Sequence, residues 1–242
     1  MRDYKKEYEE RVAFIRDLLE KSGAKGIVYG NSGGKDSALV GILCKAACDN
    51  TVGIIMPCAS KRNFGQDAED ARIAADQYGI ETRFIDLTPV REAEMQQLSS
   101  LTEVTPAAAV NIAPRLRMTT LYAVAASEGR LVAGTGNRSE AYVGYFTKWG
   151  DGAYDLNPIA DLTATEIFEF LRYLKAPQSI ITKAPSAGLY EGQTDEEDMG
   201  VTYAAIDQYI KTGQANDHDK AIIDRYHARS EHKRRNPLRY PD

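Results

Sequence analysis

The residues most suited to chemistry lie between a short apolar run, Gly26-Ile27-Val28-Tyr29, and an apolar segment that begins at Ala38. They read Gly30-Asn31-Ser32-Gly33-Gly34-Lys35-Asp36-Ser37. The glycines let successive backbone amides point into one concavity, and the helix start that follows adds positive potential. Ser32 and Ser37 add hydroxyl donors. Together these features suit a bound phosphate. Gly34-Lys35 invites a Walker A reading, which fails because Asp36 stands where a serine or threonine must follow the lysine. A carboxylate beside a phosphate nest repels its ligand unless a cation such as Mg²⁺ lies between them. Asp36 is therefore a candidate metal ligand, and Gly30 to Ser37 a candidate phosphate loop.

Positioning such a loop needs a strand before it and a helix after it, and the flanking sequence supplies both more than once. Residues 1–22 carry apolar groups at Tyr8, Val12, Ile15, Leu18 and Leu19, a helical period stopped at Ser22-Gly23. Strands are expected at 26–29, 51–56, 81–87 and 130–133, and helices at 38–48, 67–78 and 111–127. The last strand runs into a second glycine turn, Gly134-Thr135-Gly136. Short strands apolar on both faces, alternating with helices, predict an α/β fold with a doubly wound, Rossmann-like parallel sheet. Its crevice lies at the carboxyl ends of the strands, where both glycine turns fall.

The C-terminal part reads as mainly helical. Thr163-x-x-Glu166 is a capping box. Thr194-x-x-Glu197 is expected to cap one helix running through Tyr209, and a final helix covers 220–229. Stretches 101–110 and 183–200 read as mobile connections. No repeat or linker divides the chain, so a single domain over 1–242 is expected.

Composition narrows the function classes. The 242 residues are 43 % hydrophobic and 27 % charged, with 30 basic against 35 acidic residues and a net charge of −5. That balance disfavours a general grip on nucleic acid. No apolar run approaches the roughly 18 residues of a membrane span, and the N-terminus MRDYKKEYEE has no signal-peptide core. Three cysteines make no disulfide framework, so a cytoplasmic protein with reduced thiols is expected. Cys44, Cys48 and Cys58 lack zinc-site spacing and read as buried small hydrophobes. Asn137-Arg138-Ser139 matches a glycosylation pattern that a cytoplasmic chain never uses.

Ser32-Gly33-Gly34-Lys35-Asp36-Ser37 resembles the PP-loop of the N-type ATP pyrophosphatases, whose fold is of the adenine nucleotide alpha hydrolase type. Four more segments follow in order. They are Asn111-Ile112-Ala113-Pro114-Arg115-Leu116-Arg117-Met118, Gly134-Thr135-Gly136-Asn137-Arg138-Ser139-Glu140, the run from Gly144 to Asp155, and Glu231-His232-Lys233-Arg234. With the loop, they are similar to the ammonia-dependent NAD synthetase family over roughly residues 10 to 240.

The resemblance implies a ligase that amidates deamido-NAD with ammonia. ATP is the co-substrate, an adenylated carboxylate the intermediate, and AMP and pyrophosphate are released. It implies that Gly30, Asn31, Ser32, Gly33, Gly34, Lys35, Asp36, Ser37, Thr135 and Ser186 bind ATP, and that Asp36 and Glu140 hold Mg²⁺. Arg115, Lys148, Asp155, His232 and Lys233 would contact deamido-NAD, with Asp36, Ser37 and Lys148 closest to the chemistry. A homodimer is implied, with deamido-NAD at the subunit interface, no nucleic-acid or membrane partner, and no room for an appended glutaminase domain. Ala164 departs from the family pattern, which has lysine there, so that phosphate contact must be lost or come from Lys35 or Lys183. Other PP-loop adenylating enzymes, such as those acting on tRNA, and a non-catalytic ATP-binding module are the competing readings.

Overall fold

The computed structural model describes residues 2–183, 186, 194–237 and 239–240. In chain order the elements are α1 (Tyr4–Ser22), β1 (Gly26–Gly30), α2 (Lys35–Ala47), β2 (Thr51–Ile55), α3 (Lys61–Phe64), α4 (Gln66–Tyr78), β3 (Glu81–Phe84), α5 (Thr88–Leu98), α6 (Pro106–Val110) and α7 (Ile112–Glu128). They continue as β4 (Arg130–Ala133), α8 (Arg138–Val143), α9 (Ala164–Tyr173), α10 (Gln178–Ile181), α11 (Asp195–Met199), α12 (Tyr203–Thr212), α13 (Asp217–Arg229) and α14 (Glu231–Arg234).

The four strands pair in parallel in the order β3-β2-β1-β4. The chain therefore moves outward from β1 to β3, then returns to place β4 on the other side of β1. That reversal makes the gap between the carboxyl ends of β1 and β4 the topological switch point, where an open α/β sheet binds its ligands.

Successive residues of β1 feed opposite cores, as the pleat requires. Ile27 and Tyr29 join α1, α2 and α9 through Ile15, Leu39, Leu43 and Phe170. Val28 faces the other way and packs with Val52, Val132, Met118 and Leu121, the last two from α7. Tyr29 sits so close to β2 and α2 that a Cβ on Gly41 or Gly53 would lie 2.3 or 2.9 Å from its hydroxyl. Cys44 and Cys58 are buried, as their apolar reading requires, and Cys48 is half-buried.

Several features differ from the sequence expectation, among them β3, which ends at Phe84 rather than at residue 87. The helix expected from Thr194 through Tyr209 is two helices, because Gly200 takes a left-handed φ of +72° that ends α11. Thr202 then caps α12 by accepting from Ala205 N at 3.2 Å. Helix α5 has no periodic signature because none of its residues is buried, so no apolar stripe marks it. The stretch 101–110 contains α6, capped by Thr105; residues 184, 185 and 187–193 of the other connection lie outside the described residues.

The C-terminal helices form a third core around Val143, Met199, Tyr203, Ile206 and Ile223. A buried polar knot ties α12 to α8 and α9. The carboxylate of Asp207 accepts from the Ser139 hydroxyl and, at 2.8 Å, from Thr165 N, joining α12 to α8 and α9. Ser139 also accepts from Ala164 N at 3.0 Å.

Candidate functional site

The loop after β1 is shaped by bonds among its own residues. Gly34 N donates to Ser32 Oγ at 3.3 Å, the Ser37 hydroxyl donates to Gly34 O at 3.0 Å, and the two serine oxygens lie 3.1 Å apart. Asn31 is 2 % exposed and donates to Ala71 O at 3.0 Å, fixing the loop to α4. Gly33 has φ +71°, and a Cβ there would lie 2.1 Å from Asp67 O. Only glycine fits that place on both counts. Gly34 is the N-cap of α2 and no side chain caps the helix's first amides, which leaves donors for a ligand in the cavity that Lys35, Asp36 and Ser37 line.

Lys183, which also lines the cavity, clamps the loop to α4. Its Nζ lies 2.7 Å from Asp67 Oδ1, 2.7 Å from Asp70 Oδ2 and 3.2 Å from Gly33 O. Burial alone would raise the Asp70 carboxyl, but Lys183 and Gln66 outweigh it and hold it below the ordinary carboxylate range. Lys183, expected from the sequence as a possible cation for the ATP phosphates, has its ammonium committed to these three oxygens.

Across the switch point, Asp36 from α2 and Glu140 from α8 come together through Asn137. The Asn137 amide donates to Asp36 Oδ1 at 3.0 Å, and its backbone N donates to Glu140 Oε2 at 3.1 Å. Glu140 and Asn137 also form a full capping box at the start of α8. Each carboxylate therefore has one oxygen engaged by Asn137 and one turned toward Lys35. The Lys35 ammonium donates to Asp36 Oδ2 at 2.6 Å and lies 3.9 Å from Glu140 Oε1. Burial and the negative charge of Asp36 push Glu140 well above its ordinary range, and Lys35 opposes the shift. Burial would lower the Lys35 ammonium, but Asp36 and Glu140 reverse this and keep it charged.

These groups open into a cavity of about 820 Å³. Gly30, Asn31, Ser32, Gly34, Lys35, Asp36, Ser37, Thr135, Glu140, Ser186, His232 and Lys233 of the expected residues line it. Gly33, Arg115, Lys148 and Asp155 are not among its lining. Gly33 contributes through its backbone shape, as described. Arg115 is exposed on α7 and donates to Lys148 O at 3.4 Å, while Lys148 donates to His232 O at 2.7 Å. Asp155 accepts from Tyr122 at 3.1 Å and from Val132 N at 2.8 Å, bracing the end of β4. Tyr122, Trp149 and Tyr154 are exposed beside these three. Lys233 donates to Gly144 O at 2.8 Å and Phe146 O at 2.6 Å, and burial lowers its ammonium.

Sequence reasoning passed over Asn137, which is fully buried between the two carboxylates. Its signal was present as Asn137-x-x-Glu140, the spacing of a helix N-cap with glutamate three residues on. Arg117, in the segment from Asn111 to Met118, also lines the cavity and donates to Met56 O at 3.0 Å and Asn63 Oδ1 at 3.1 Å. Among the described residues, no group of three or more His, Cys, Asp or Glu converges as a metal cluster. The two carboxylates at a phosphate nest nevertheless fit a Mg²⁺ ion whose remaining ligands come from phosphate oxygens and water.

A parallel sheet with a glycine loop at its switch point and acidic groups facing that loop defines an α/β nucleotide-phosphate-binding protein. The chain matches the NAD synthase family over residues 7–237. It is 47 % identical over 238 residues to an NH₃-dependent NAD⁺ synthetase from Carboxydothermus hydrogenoformans, covering 97 % of each chain. Its fold is similar to the NMN synthetase of Francisella tularensis, with a TM-score of 0.94, 37 % identity and full coverage of both chains. It is also similar to an NH₃-dependent NAD synthetase from Campylobacter jejuni, with a TM-score of 0.80, 29 % identity and coverage of 98 % and 99 %. The chain belongs to the NAD synthase family.

Proposed function

We propose that this protein is a ligase that converts deamido-NAD and ammonia to NAD, cleaving ATP to AMP and pyrophosphate. A carboxylate is a poor electrophile with no usable leaving group. Its oxygen therefore attacks the α-phosphorus of ATP, expelling pyrophosphate, and ammonia then displaces AMP from the mixed anhydride. The observation that supports this reading best is the joining of the phosphate loop to Asp36 and Glu140 at the switch point, in a chain of this family.

In the first step the protein mainly positions phosphate and compensates charge. The amides of Lys35, Asp36 and Ser37 at the start of α2 and the Ser32 hydroxyl would receive departing pyrophosphate, and Thr135 and Ser186 line the same cavity. Asp36 and Glu140 would hold Mg²⁺, which supplies charge neutralisation for the triphosphate. His232 and Lys233 also line the cavity, and basic side chains suit the acid substrate.

The same reading includes a homodimer and a cytoplasmic, single-domain enzyme. Arg115, Lys148 and Asp155 lie outside the cavity, beside exposed Tyr122, Trp149 and Tyr154. A second copy seated on that face would bring these groups to a shared deamido-NAD. Sedimentation of the protein as a monomer, with and without substrates, would remove that part of the reading.

The likeness in fold to the Francisella tularensis NMN synthetase, at a TM-score of 0.94 against 0.80 for the Campylobacter jejuni NAD synthetase, favours one second reading. In it the acid accepted is the mononucleotide, nicotinate mononucleotide, and the chemistry is unchanged. Assay with ATP, Mg²⁺, ammonia and each acid in turn decides between them through kcat/KM for amide formation. Pyrophosphate release without either amide would refute both.

A further inference from the structure

Lys35 is a cationic side chain only 5 % exposed, an arrangement that needs compensation inside a protein. Its surroundings supply it. The ammonium sits 2.6 Å from Asp36 Oδ2 and 3.9 Å from Glu140 Oε1. Those are the two oxygens left over once Asn137 has engaged Asp36 Oδ1 and Glu140 Oε2. On its other side the ammonium faces the rings of Phe168 and Tyr203, 5.8 and 5.3 Å from their centroids. Arg172 of α9 lies over the same Phe168 ring at 5.9 Å, and Asp195, which accepts from the Tyr203 hydroxyl at 3.0 Å, adds a further negative charge that favours the ammonium. Among the described residues no other cation pairs with either carboxylate.

We propose that the Lys35 ammonium is the built-in counter-cation of the Asp36–Glu140 pair, displaced by the divalent ion that arrives with the nucleotide and thereby released to the phosphates. Two carboxylates held together by Asn137 repel each other unless a positive charge lies between them. In the nucleotide-free protein the lysine provides that charge. A divalent ion needs the same two oxygens at about 2.1 Å, which leaves no room for the ammonium between them. Lys35 is the first residue of α2, at the mouth of the phosphate loop, so its freed side chain remains beside the incoming phosphates. The lysine and the metal ion thus take turns at one position, and the empty protein holds divalent ions weakly.

This inference rests on the reading of Asp36 and Glu140 as a metal pair, and one set of measurements separates the two. Mn²⁺ binding to the nucleotide-free protein is followed by electron paramagnetic resonance for wild type, Lys35→Met and Lys35→Gln, with thermal unfolding to confirm folding. Both variants should bind Mn²⁺ about tenfold tighter than wild type, a difference of ~1.4 kcal/mol, and should lose ATP-dependent pyrophosphate release. Equal or weaker Mn²⁺ binding in the folded variants overturns the role of Lys35 and leaves the metal pair standing. Absence of Mn²⁺ binding in every protein, with or without ATP, overturns both. A crystal structure of wild type with Mn²⁺ and a non-cleavable ATP analogue needs no substitution. It should show metal between the carboxylates and the ammonium moved to phosphate; an ammonium still seated on Asp36 beside the metal refutes the exchange.

Discussion

Asn137 holds Asp36 in place: its amide donates to Asp36 Oδ1 at 3.0 Å across 101 residues of sequence. The same residue caps α8 and binds Glu140 through its backbone, so one asparagine sets the separation of two acids from opposite sides of the switch point. Asn137→Ala should remove the cap and the amide together, costing about 2 kcal/mol of stability. Pyrophosphate release should fall by on the order of 10²-fold at saturating ATP. A stability loss with unchanged turnover would reduce Asn137 to a helix cap.

Asp36→Asn keeps an oxygen for the Asn137 amide, and Glu140→Gln keeps the acceptor of the capping box. Both proteins should therefore fold. Each should lose on the order of 10²–10³-fold in adenylation, read as positional isotope exchange in ATP that depends on the acid substrate. Wild-type exchange in either variant would refute that residue as a metal ligand.

Gly33→Ala tests the loop's shape. The φ of +71° and the Asp67 carbonyl 2.1 Å from the new methyl carbon force the backbone to move. The change should destabilise the protein by more than about 1 kcal/mol and abolish ATP binding by calorimetry. Normal ATP affinity would show that the loop does not need this conformation.

The Lys183 clamp between the loop and α4 gives a pH dependence of stability. Asp70 is held below its ordinary range through Lys183 and Gln66, so its folded pKa lies below the unfolded one. Its contribution is complete above the unfolded value and disappears as pH falls through the folded value. Asp70→Asn should cost about 2 kcal/mol at pH 7. Its gap in Tm from wild type should stay constant from about pH 8 to 5 and narrow below about pH 4. A gap independent of pH throughout would refute the ion pair as its source.

The phosphate loop and the parallel sheet were legible in the sequence because both rest on local chemistry. A strand, a glycine turn and a helix start are adjacent residues, and β1 and β2 carry apolar runs on both faces. The three-residue spacing of Asn137 and Glu140 was equally visible, but the bond from Asn137 to Asp36 was not. Nor was the pairing of Lys183 with Asp70, 113 residues apart. Both depend on how helices dock, which no local pattern records. Gly200 was a readable stop signal that lost to the longer apolar period around it. Lys35 reads as a phosphate ligand in the sequence because its neighbours are loop residues; its inward turn becomes visible only beside Glu140, Phe168 and Tyr203.

The first helix is fastened far down the chain. Arg2 and Arg11 both pair with Asp161, the Tyr4 hydroxyl donates to Glu169 at 2.6 Å, and the Tyr4 ring packs 5.0 Å from that of Phe170. During synthesis on the ribosome, this segment must wait without these partners until residues 161–170 have emerged. Docking of this segment is thus a late, long-range closure, and a nascent chain halted before Asp161 leaves Arg2, Tyr4 and Arg11 without their distant partners.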